Sequence, residues 1–391
     1  MSPVAVSPYL DHPARIALIF GSFFLLCLPL AVSFLGATSD ASAAEWLLIF
    51  QVYSILVGYT HFAITFSIYL NSKNLEFFRS SPKNIAIYFG GPILILSIWF
   101  LIGFLGINQP APDSSAAFLT YLFYFALLTK VADYLHVVRQ SFGVLQLFKR
   151  HVPVPFPRWM RRTENAFFMV LLALQVLTYI EGLKANTINA ARFNIHNPYT
   201  QLALGVAVLL FLAILTGFAL MMRTVPANRR TLLVPFQYFL LQTASACLPI
   251  YWSALYLVSL AMHYVEYHVI MYPRVFRAPL DSRAWVDRLS LWFRSHRIVF
   301  YVALAGFAYL FMGNGIEHLG RNLPISKNVV WFLLNLFNGI FMTHFFIEAF
   351  VWKFGVPFYR QSLGPLYFPP ASAQGSGLVF NSPVGAKGRQ I

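Results

Sequence analysis

The chain has 391 residues, of which 58% are hydrophobic and only 10% are charged. A soluble domain uses about a quarter charged residues to cover its surface, so this composition excludes an ordinary soluble protein and predicts that lipid faces much of the chain. The net charge of +15 would suit a nucleic-acid partner. The basic residues are spread over separate loops, however, and we expect no nucleic acid to bind.

The hydrophobic residues fall into ten stretches, each about as long as the 20 residues that cross a bilayer as a helix. The stretches are 15–36, 46–70, 85–106, 115–148, 165–183, 200–222, 231–248, 250–272, 298–316 and 328–352. We therefore predict an all-α polytopic membrane helix bundle with about ten transmembrane helices, in which residues 1–370 form a single multi-pass membrane domain. The first stretch is too long for a cleaved signal and is interpreted as an anchor. The fourth is expected to continue beyond the bilayer.

Lys and Arg residues concentrate after every second stretch. The five basic clusters run from Lys73 to Lys83, Lys149 to Arg162, Arg223 to Arg230, Arg274 to Arg297 and Lys353 to Arg389. Cytoplasmic loops of membrane proteins are enriched in these residues. The pattern predicts that both termini are cytoplasmic and that even-numbered helices run from outside to inside, as in a bacterial inner-membrane protein.

Two segments outside the stretches have distinct compositions. The loop 273–297 combines basic residues with Trp285, Trp292 and Phe293, which predicts an amphipathic helix on the anionic inner leaflet. Residues 371–391 are rich in Gly, Ser and Pro, and we expect a disordered cytoplasmic tail there.

Five of the ten histidines lie inside predicted spans, and all five are on even-numbered stretches. They are His61, His136, His263, His268 and His344. Because these helices run in the same direction, the positions place all five at a similar depth, roughly 20–30 Å from the outer edge. Ionisable residues inside a membrane are costly and are functional candidates by default. We predict that these histidines form one metal site.

Carboxylates accompany three of these histidines at helical spacing. Asp133 precedes His136 by three residues, Glu266 follows His263 by three, and Glu348 follows His344 by four. Such neighbours share a helix face. A carboxylate there can bind the metal or orient a ligand imidazole. We predict catalytic roles for the three: Glu266 and Glu348 as ligands or proton relays, and Asp133 as the group that orients His136.

Mixed histidine and carboxylate sites suit iron, which we prefer to zinc or heme as the cofactor.

One geometric condition applies to His263 and His268. Five residues separate them, which is about 140° apart on an ideal helix. Both can bind one ion only if the helix contains a π-bulge.

Two other classes of protein would use the same residues differently. A transporter could use buried His, Asp and Glu side chains as a proton relay, although the inverted repeats typical of transporters are not evident. The chain could also be a non-catalytic subunit, in which the histidines are hydrogen-bonding residues between helices.

The order of the histidines resembles that of the Brp/Blh family of membrane β-carotene-cleaving oxygenases. One histidine, His61, is early, His136 is in the middle, and His263 and His268 form a late pair. The resemblance implies a multi-helix membrane enzyme that binds iron through these four residues and oxidises a lipophilic substrate such as a carotenoid or another lipid. The late pair, His-Tyr-Val-Glu-Tyr-His, is one residue wider than in that family, and His344 and Glu348 are additions. The histidine boxes of membrane desaturases are absent.

Overall fold

The computed structural model describes residues 58–107, 116–152, 154–184, 193–225, 229–311 and 327–367. These residues are helical and contain no β-strand, which confirms the predicted all-α class for the described part of the chain. In chain order the α-helices are α1 (Thr60–Thr65), α2 (Ser72–Arg79), α3 (Pro82–Ile85), α4 (Gly91–Ile107), α5 (Ala116–Arg150), α6 (Arg158–Lys184), α7 (Pro198–Thr224), α8 (Arg229–Tyr251), α9 (Tyr256–Phe276), α10 (Trp285–Ser295), α11 (Arg297–Phe311), α12 (Lys327–Val351) and α13 (Pro357–Tyr367). A π-helical segment, Ala86–Gly90, joins α3 to α4.

Four helical segments are long and apolar enough to cross a membrane: Pro82–Phe104, Arg158–Leu183, Pro198–Thr224 and Arg229–Tyr251. They correspond to the third, fifth, sixth and seventh predicted stretches. A shorter apolar helix, Arg297–Tyr309, lies in the ninth. The stretch 15–36, the beginning of 46–70 and the tail 371–391 lie outside the described residues. The count of ten spans and the cytoplasmic position of the termini remain predictions.

Large apolar side chains project from the outer surface of these helices. On α4, Ile93 and Leu94 are each 62% exposed, and on α7, Leu202 and Leu209 are each 69% exposed. A continuous apolar surface of this kind is unfavourable in water and favourable against lipid. The exposed faces therefore agree with helices that lie in a bilayer.

Local sequence explains where several helices begin. The side chain of Asn71 accepts a hydrogen bond from the backbone N–H of Asn74 at the start of α2, and Ser81 does the same for Asn84 at the start of α3. At the start of α7, the Asn197 side chain accepts from the N–H of Tyr199. Each cap satisfies one of the backbone donors that a helix leaves unpaired at its N-terminus.

Close packing of α4 against α12 depends on glycines. A Cβ atom at Gly339 would lie 3.0 Å from Cβ of Trp99, and one at Gly103 would lie 3.2 Å from the backbone oxygen of Phe332. Small residues at such positions let two helices approach closely. This contact holds α12 beside α1, which also packs against α9 and α11. Helix α5 contacts α9 and α12 as well, so α1, α5, α9 and α12 meet in the interior.

The basic loop between the eighth and ninth stretches contains the helix α10, as the composition predicted. Trp285 and Trp292 are exposed on it. Asp287 is fully buried and accepts hydrogen bonds from the backbone and hydroxyl of Ser72 at 2.6 and 2.7 Å and from the backbone N–H of Asp281 at 2.6 Å. One carboxylate thus ties α10 to the start of α2.

Candidate metal centre

Four histidines from four helices meet where these helices converge. His61 comes from α1, His136 from α5, His263 from α9 and His344 from α12. All four are buried, with no more than 9% of any residue exposed. The ring centroid of His61 lies 4.7 Å from that of His263 and 4.6 Å from that of His344. The ring centroid of His136 lies 4.9 Å from that of His263 and 5.0 Å from that of His344.

Each of the four imidazoles has at least one buried ring nitrogen without a hydrogen-bond partner among the described residues. For His61 this applies to both Nδ1 and Nε2; for the others it applies to Nε2 of His136, Nδ1 of His263 and Nε2 of His344. A buried polar atom left unpaired is costly, and most such atoms in proteins have a partner or bind an ion. Several of them in one place indicate a binding site for a cation.

The spacing of these nitrogens could hold a metal ion. His61, His136 and His263 offer ligand atoms that all lie within 4.8 Å of one another, and so do His136, His344 and Glu348. Metal–nitrogen bonds are about 2.0–2.1 Å long, so ligands on opposite sides of one ion are about 4 Å apart. His136 belongs to both groups.

Glu348 is the carboxylate of this centre. Its Oε2 lies 3.3 Å from Nε2 of His136 and 3.9 Å from Nε2 of His344, and its Oε1 is buried without a hydrogen-bond partner in the described structure. One turn of α12 places Glu348 over His344, as the i,i+4 spacing predicts. The contact with His136, from another helix, was not predicted by that spacing.

Two hydroxyl groups, those of Thr65 and Tyr267, orient the imidazole of His344. Oγ1 of Thr65 lies 2.7 Å from Nδ1 of His344 and 2.6 Å from the hydroxyl of Tyr267. This bond engages Nδ1 of His344 and leaves Nε2 toward the cluster. A hydrogen bond at the second ring nitrogen is the usual way in which a protein orients a ligand histidine. Thr65 is four residues after His61 in the sequence. Its contact with His344 depends on the packing of α1 against α12.

His268 lies outside the two groups of potential ligands. Its Nε2 is 3.1 Å from Oγ1 of Thr60, and its ring is 6.0 Å from that of Tyr301. The condition for joining His263 on one ion was a π-bulge, and α9 is a regular α-helix from Tyr256 to Phe276. The rotation of about 140° over five residues therefore directs His268 to a different part of the structure.

Glu266 also lies apart from the potential ligands, in a separate buried network. Nε2 of Gln242 donates to Oε2 of Glu266 at 2.7 Å, and Nε2 of Gln140 lies 3.5 Å from Oε1. Gln242 also accepts from Ser141 at 2.8 Å and donates to Tyr238 at 3.0 Å. The network joins α5, α8 and α9. Gln242 was missed in the sequence, where the available signal was an amide in the apolar stretch 231–248, which also contains Gln237.

Asp133 pairs with its own helix instead of with His136. Its Oδ2 accepts from Nζ of Lys130 at 2.9 Å, and this ammonium also lies 3.7 Å from the ring centre of Tyr256. The carboxylate is in neither group of potential ligands. Asp133 is three residues from both Lys130 and His136, so either contact was possible on one helix face. The structure contains the ion pair with Lys130.

Aromatic rings enclose the cluster. Phe345 stacks on His136 with centroids 4.2 Å apart, and Phe62 lies 5.0 Å from both His61 and His344. Such a shell excludes water, which strengthens electrostatic interactions inside it.

No family model matches this chain, and no curated protein or solved structure matches it either.

Proposed function

We propose that this chain is a membrane-embedded metal enzyme that oxidises a lipophilic substrate, with iron as the metal. The observation that carries the proposal is the cluster of four buried imidazoles with unpartnered ring nitrogens beside Glu348. Neutral imidazole and carboxylate are ligands that iron and zinc share, and mixed sites of this kind with open positions suit iron and oxygen chemistry. When bound, iron would supply the activation of O₂.

The surrounding residues have roles that follow from their contacts. Thr65 and Tyr267 form a pair of hydroxyls that ends on His344 and keeps its imidazole in one orientation. Glu348 completes the ligand set or accepts a proton at its Oε1, the atom without a hydrogen bond. Phe62 and Phe345 exclude water and present apolar surface to a substrate that enters from the lipid.

A proton-coupled transporter is the second candidate, because one observation favours it. Glu266, Gln140, Gln242 and Ser141 form an interior polar chain that meets the histidine cluster at the backbone oxygen of His263, 3.3 Å from Nε2 of Gln140. Chains of this kind carry protons in membrane transporters. In that case the histidines would bind protons instead of a metal.

Metal content separates the two candidates. We expect protein purified in detergent without chelator to hold stoichiometric iron, and His136→Ala to lose it, because His136 contributes to both ligand groups. His296→Ala is the matched control, since His296 is exposed on the end of α10 and should leave the metal in place. Elemental analysis of the three proteins gives the answer. Wild-type protein without stoichiometric metal would refute the enzyme and favour the transporter.

Activity requires its own measurement. A carotenoid in detergent micelles, followed by loss of visible absorbance and by oxygen consumption, tests the proposed oxidation. We expect turnover by wild-type and His296→Ala protein and none by His136→Ala. If the protein binds iron but consumes no oxygen with carotenoids or other lipids, the proposed metal site stands and the proposed reaction is wrong.

A further inference from the structure

A cavity of about 390 Å³ lies outside the histidine cluster. Its walls come from residues 67–71 and the start of α2, the end of α9 and the loop after it, one face of α10, Phe300 of α11 and one face of α13. Neither Glu348 nor any of the four clustered histidines lines it. Its volume is within the range of about 300–1,000 Å³ that is typical of small-molecule sites.

The charge of the cavity wall has one sign. Four basic residues line it: Lys73, Arg274, Arg277 and Arg294. No Asp or Glu is among the lining residues. The buried carboxylate on the same helix as Arg294, Asp287, is already bonded to Ser72 and to the backbone of Asp281. A concave wall with several cations and no anion attracts negative ligands.

Arg274 is the buried member of this set. It is 5% exposed, and its Nη1 donates to the backbone oxygen of Val351 at 3.4 Å. Nε and Nη2 are buried without hydrogen-bond partners in the described part of the chain. The guanidinium lies 5.3 Å from the ring centre of Trp352 and 5.8 Å from that of Tyr359. The charge of Arg274 acts on the buried carboxylate of Glu348, but the two form no close ion pair in the described structure. Two buried guanidinium donors without a direct partner favour an anionic ligand.

Arg294 stabilises the wall of the cavity through hydrogen bonds to the backbone. Its Nε donates to the backbone oxygen of Val275 at 3.0 Å and its Nη2 donates to that of Ala278 at 2.6 Å, so it holds the end of α9 and the loop after it against α10. Burial lowers the pKa of Arg294 to about 10. The side chain is therefore still charged at neutral pH and adds to the positive potential of the wall.

The remaining wall suits an amphiphilic molecule. The guanidinium of arginine matches phosphate and carboxylate groups. Polar side chains such as Asn71 and Ser362 add hydrogen-bonding groups, and Phe293, Phe300 and Phe358 add apolar surface. The cavity is also at the basic end of α9, which the loop charges predict to face the anionic inner leaflet.

We propose that this cavity binds the phosphate group of an anionic membrane lipid, with Arg274 as the buried cation of the site. The proposal does not depend on the metal or on the oxidation reaction. It rests on the charge of the wall, the unpaired donors of Arg274 and the apolar rings of the three phenylalanines in the wall. A soluble phosphate compound offers the same group, and the experiment separates the two sources.

The experiment measures lipid binding to purified protein in a neutral detergent by native mass spectrometry. We expect phosphatidylglycerol to bind about tenfold more tightly than zwitterionic phosphatidylcholine. Arg274→Gln should weaken phosphatidylglycerol binding about tenfold, the usual effect of losing a charged hydrogen bond. Lys73→Gln, at an exposed position, should weaken it about twofold to fivefold. Arg139→Gln removes an exposed cation away from the cavity and should bind as the wild type does.

A competition arm identifies the source of the phosphate. If millimolar inorganic phosphate displaces phosphatidylglycerol from wild-type protein, and does so less well from Lys73→Gln, the site takes free phosphate as well as lipid and the phosphate assignment holds. The proposal is overturned if both lipids bind equally and phosphate does not compete. It is also overturned if Arg274→Gln and Lys73→Gln both bind phosphatidylglycerol as tightly as Arg139→Gln does.

Discussion

At the scale of residues, the two glutamates near the histidines have different surroundings and should respond differently to the same substitution. Oε2 of Glu348 lies 3.3 Å from a ring nitrogen of His136, whereas Glu266 is bonded to the amide of Gln242 at 2.7 Å. Replacement by glutamine keeps the size of the side chain and removes the charge. The pair of variants therefore distinguishes a carboxylate of the centre from one in a separate network.

We expect Glu348→Gln to lower metal affinity about 10–100-fold, as loss of a carboxylate beside a metal usually does. Glu266→Gln should retain metal at the wild-type level, because Gln242 can turn its amide to meet the new side chain. Elemental analysis after dialysis against a weak chelator measures both. Equal retention of metal by the two variants would mean that Glu348 has no part in the centre.

At the scale of elements, a buried ion pair joins α5 to α6. Nζ of Lys149 contacts Oε1 of Glu164, with 4% and 0% of the two side chains exposed, and Gln146 donates to the other carboxylate oxygen at 3.1 Å. Such a pair adds little when both partners are present, since desolvation offsets the attraction. Removal of one partner is costly because the other charge is left buried.

Glu164→Ala should therefore destabilise the protein by about 3–5 kcal/mol. The double variant Lys149→Met with Glu164→Gln should recover much of this loss, because no buried charge remains and Gln146 keeps an acceptor. Thermal unfolding in detergent compares the two. Arg139→Ala, which breaks an exposed hydrogen bond to Asn165, is the control and should change stability by less than about 0.5 kcal/mol. A double variant as unstable as Glu164→Ala would contradict the argument.

The contact of α4 with α12 makes a second prediction at this scale. A Cβ atom at Gly91 would overlap the ring of Phe346, two residues after His344, whereas one at Gly143 on α5 would meet nothing within 4 Å. Gly91→Ala should cost about 1–3 kcal/mol through overpacking. Gly143→Ala should be neutral or stabilise the helix by roughly 0.5–1 kcal/mol. Melting temperatures of the two variants that coincide would show that α12 moves away from α4 without cost.

At the scale of the whole molecule, the distribution of charge predicts topology. Reporter fusions after residues 150, 225 and 285 should lie in the cytoplasm, because basic clusters surround these positions. Fusions after residues 40 and 112 should lie on the opposite side. A cytoplasmic signal from either of the last two would overturn the predicted arrangement. The same result would remove the argument that the even-numbered helices share one direction and place their histidines at one depth.

Composition and periodicity determined much about this protein without any structure. A low content of charge and long apolar stretches predicted helices, and the described residues are helical. The overlong fourth stretch is one helix of 35 residues. Depth along each helix follows from the rise of 1.5 Å per residue, so His61, His136, His263 and His344 were predicted at one level before their rings were seen together.

Only the tertiary structure decided which side chains face one another, because a helical repeat gives relative positions on one helix and leaves the rotation of that helix against its neighbours open. His268 contacts Thr60, which is 208 residues away in the sequence, and Glu266 contacts Gln242 on the preceding long helix. Thr65, four residues after His61, contacts His344. The cavity beside Arg274 likewise combines residues from α2, α9, α10, α11, α13 and the segment before α2. These contacts depend on how α1, α5, α9 and α12 rotate to pack their bulky and small residues together, which no single stretch of sequence specifies.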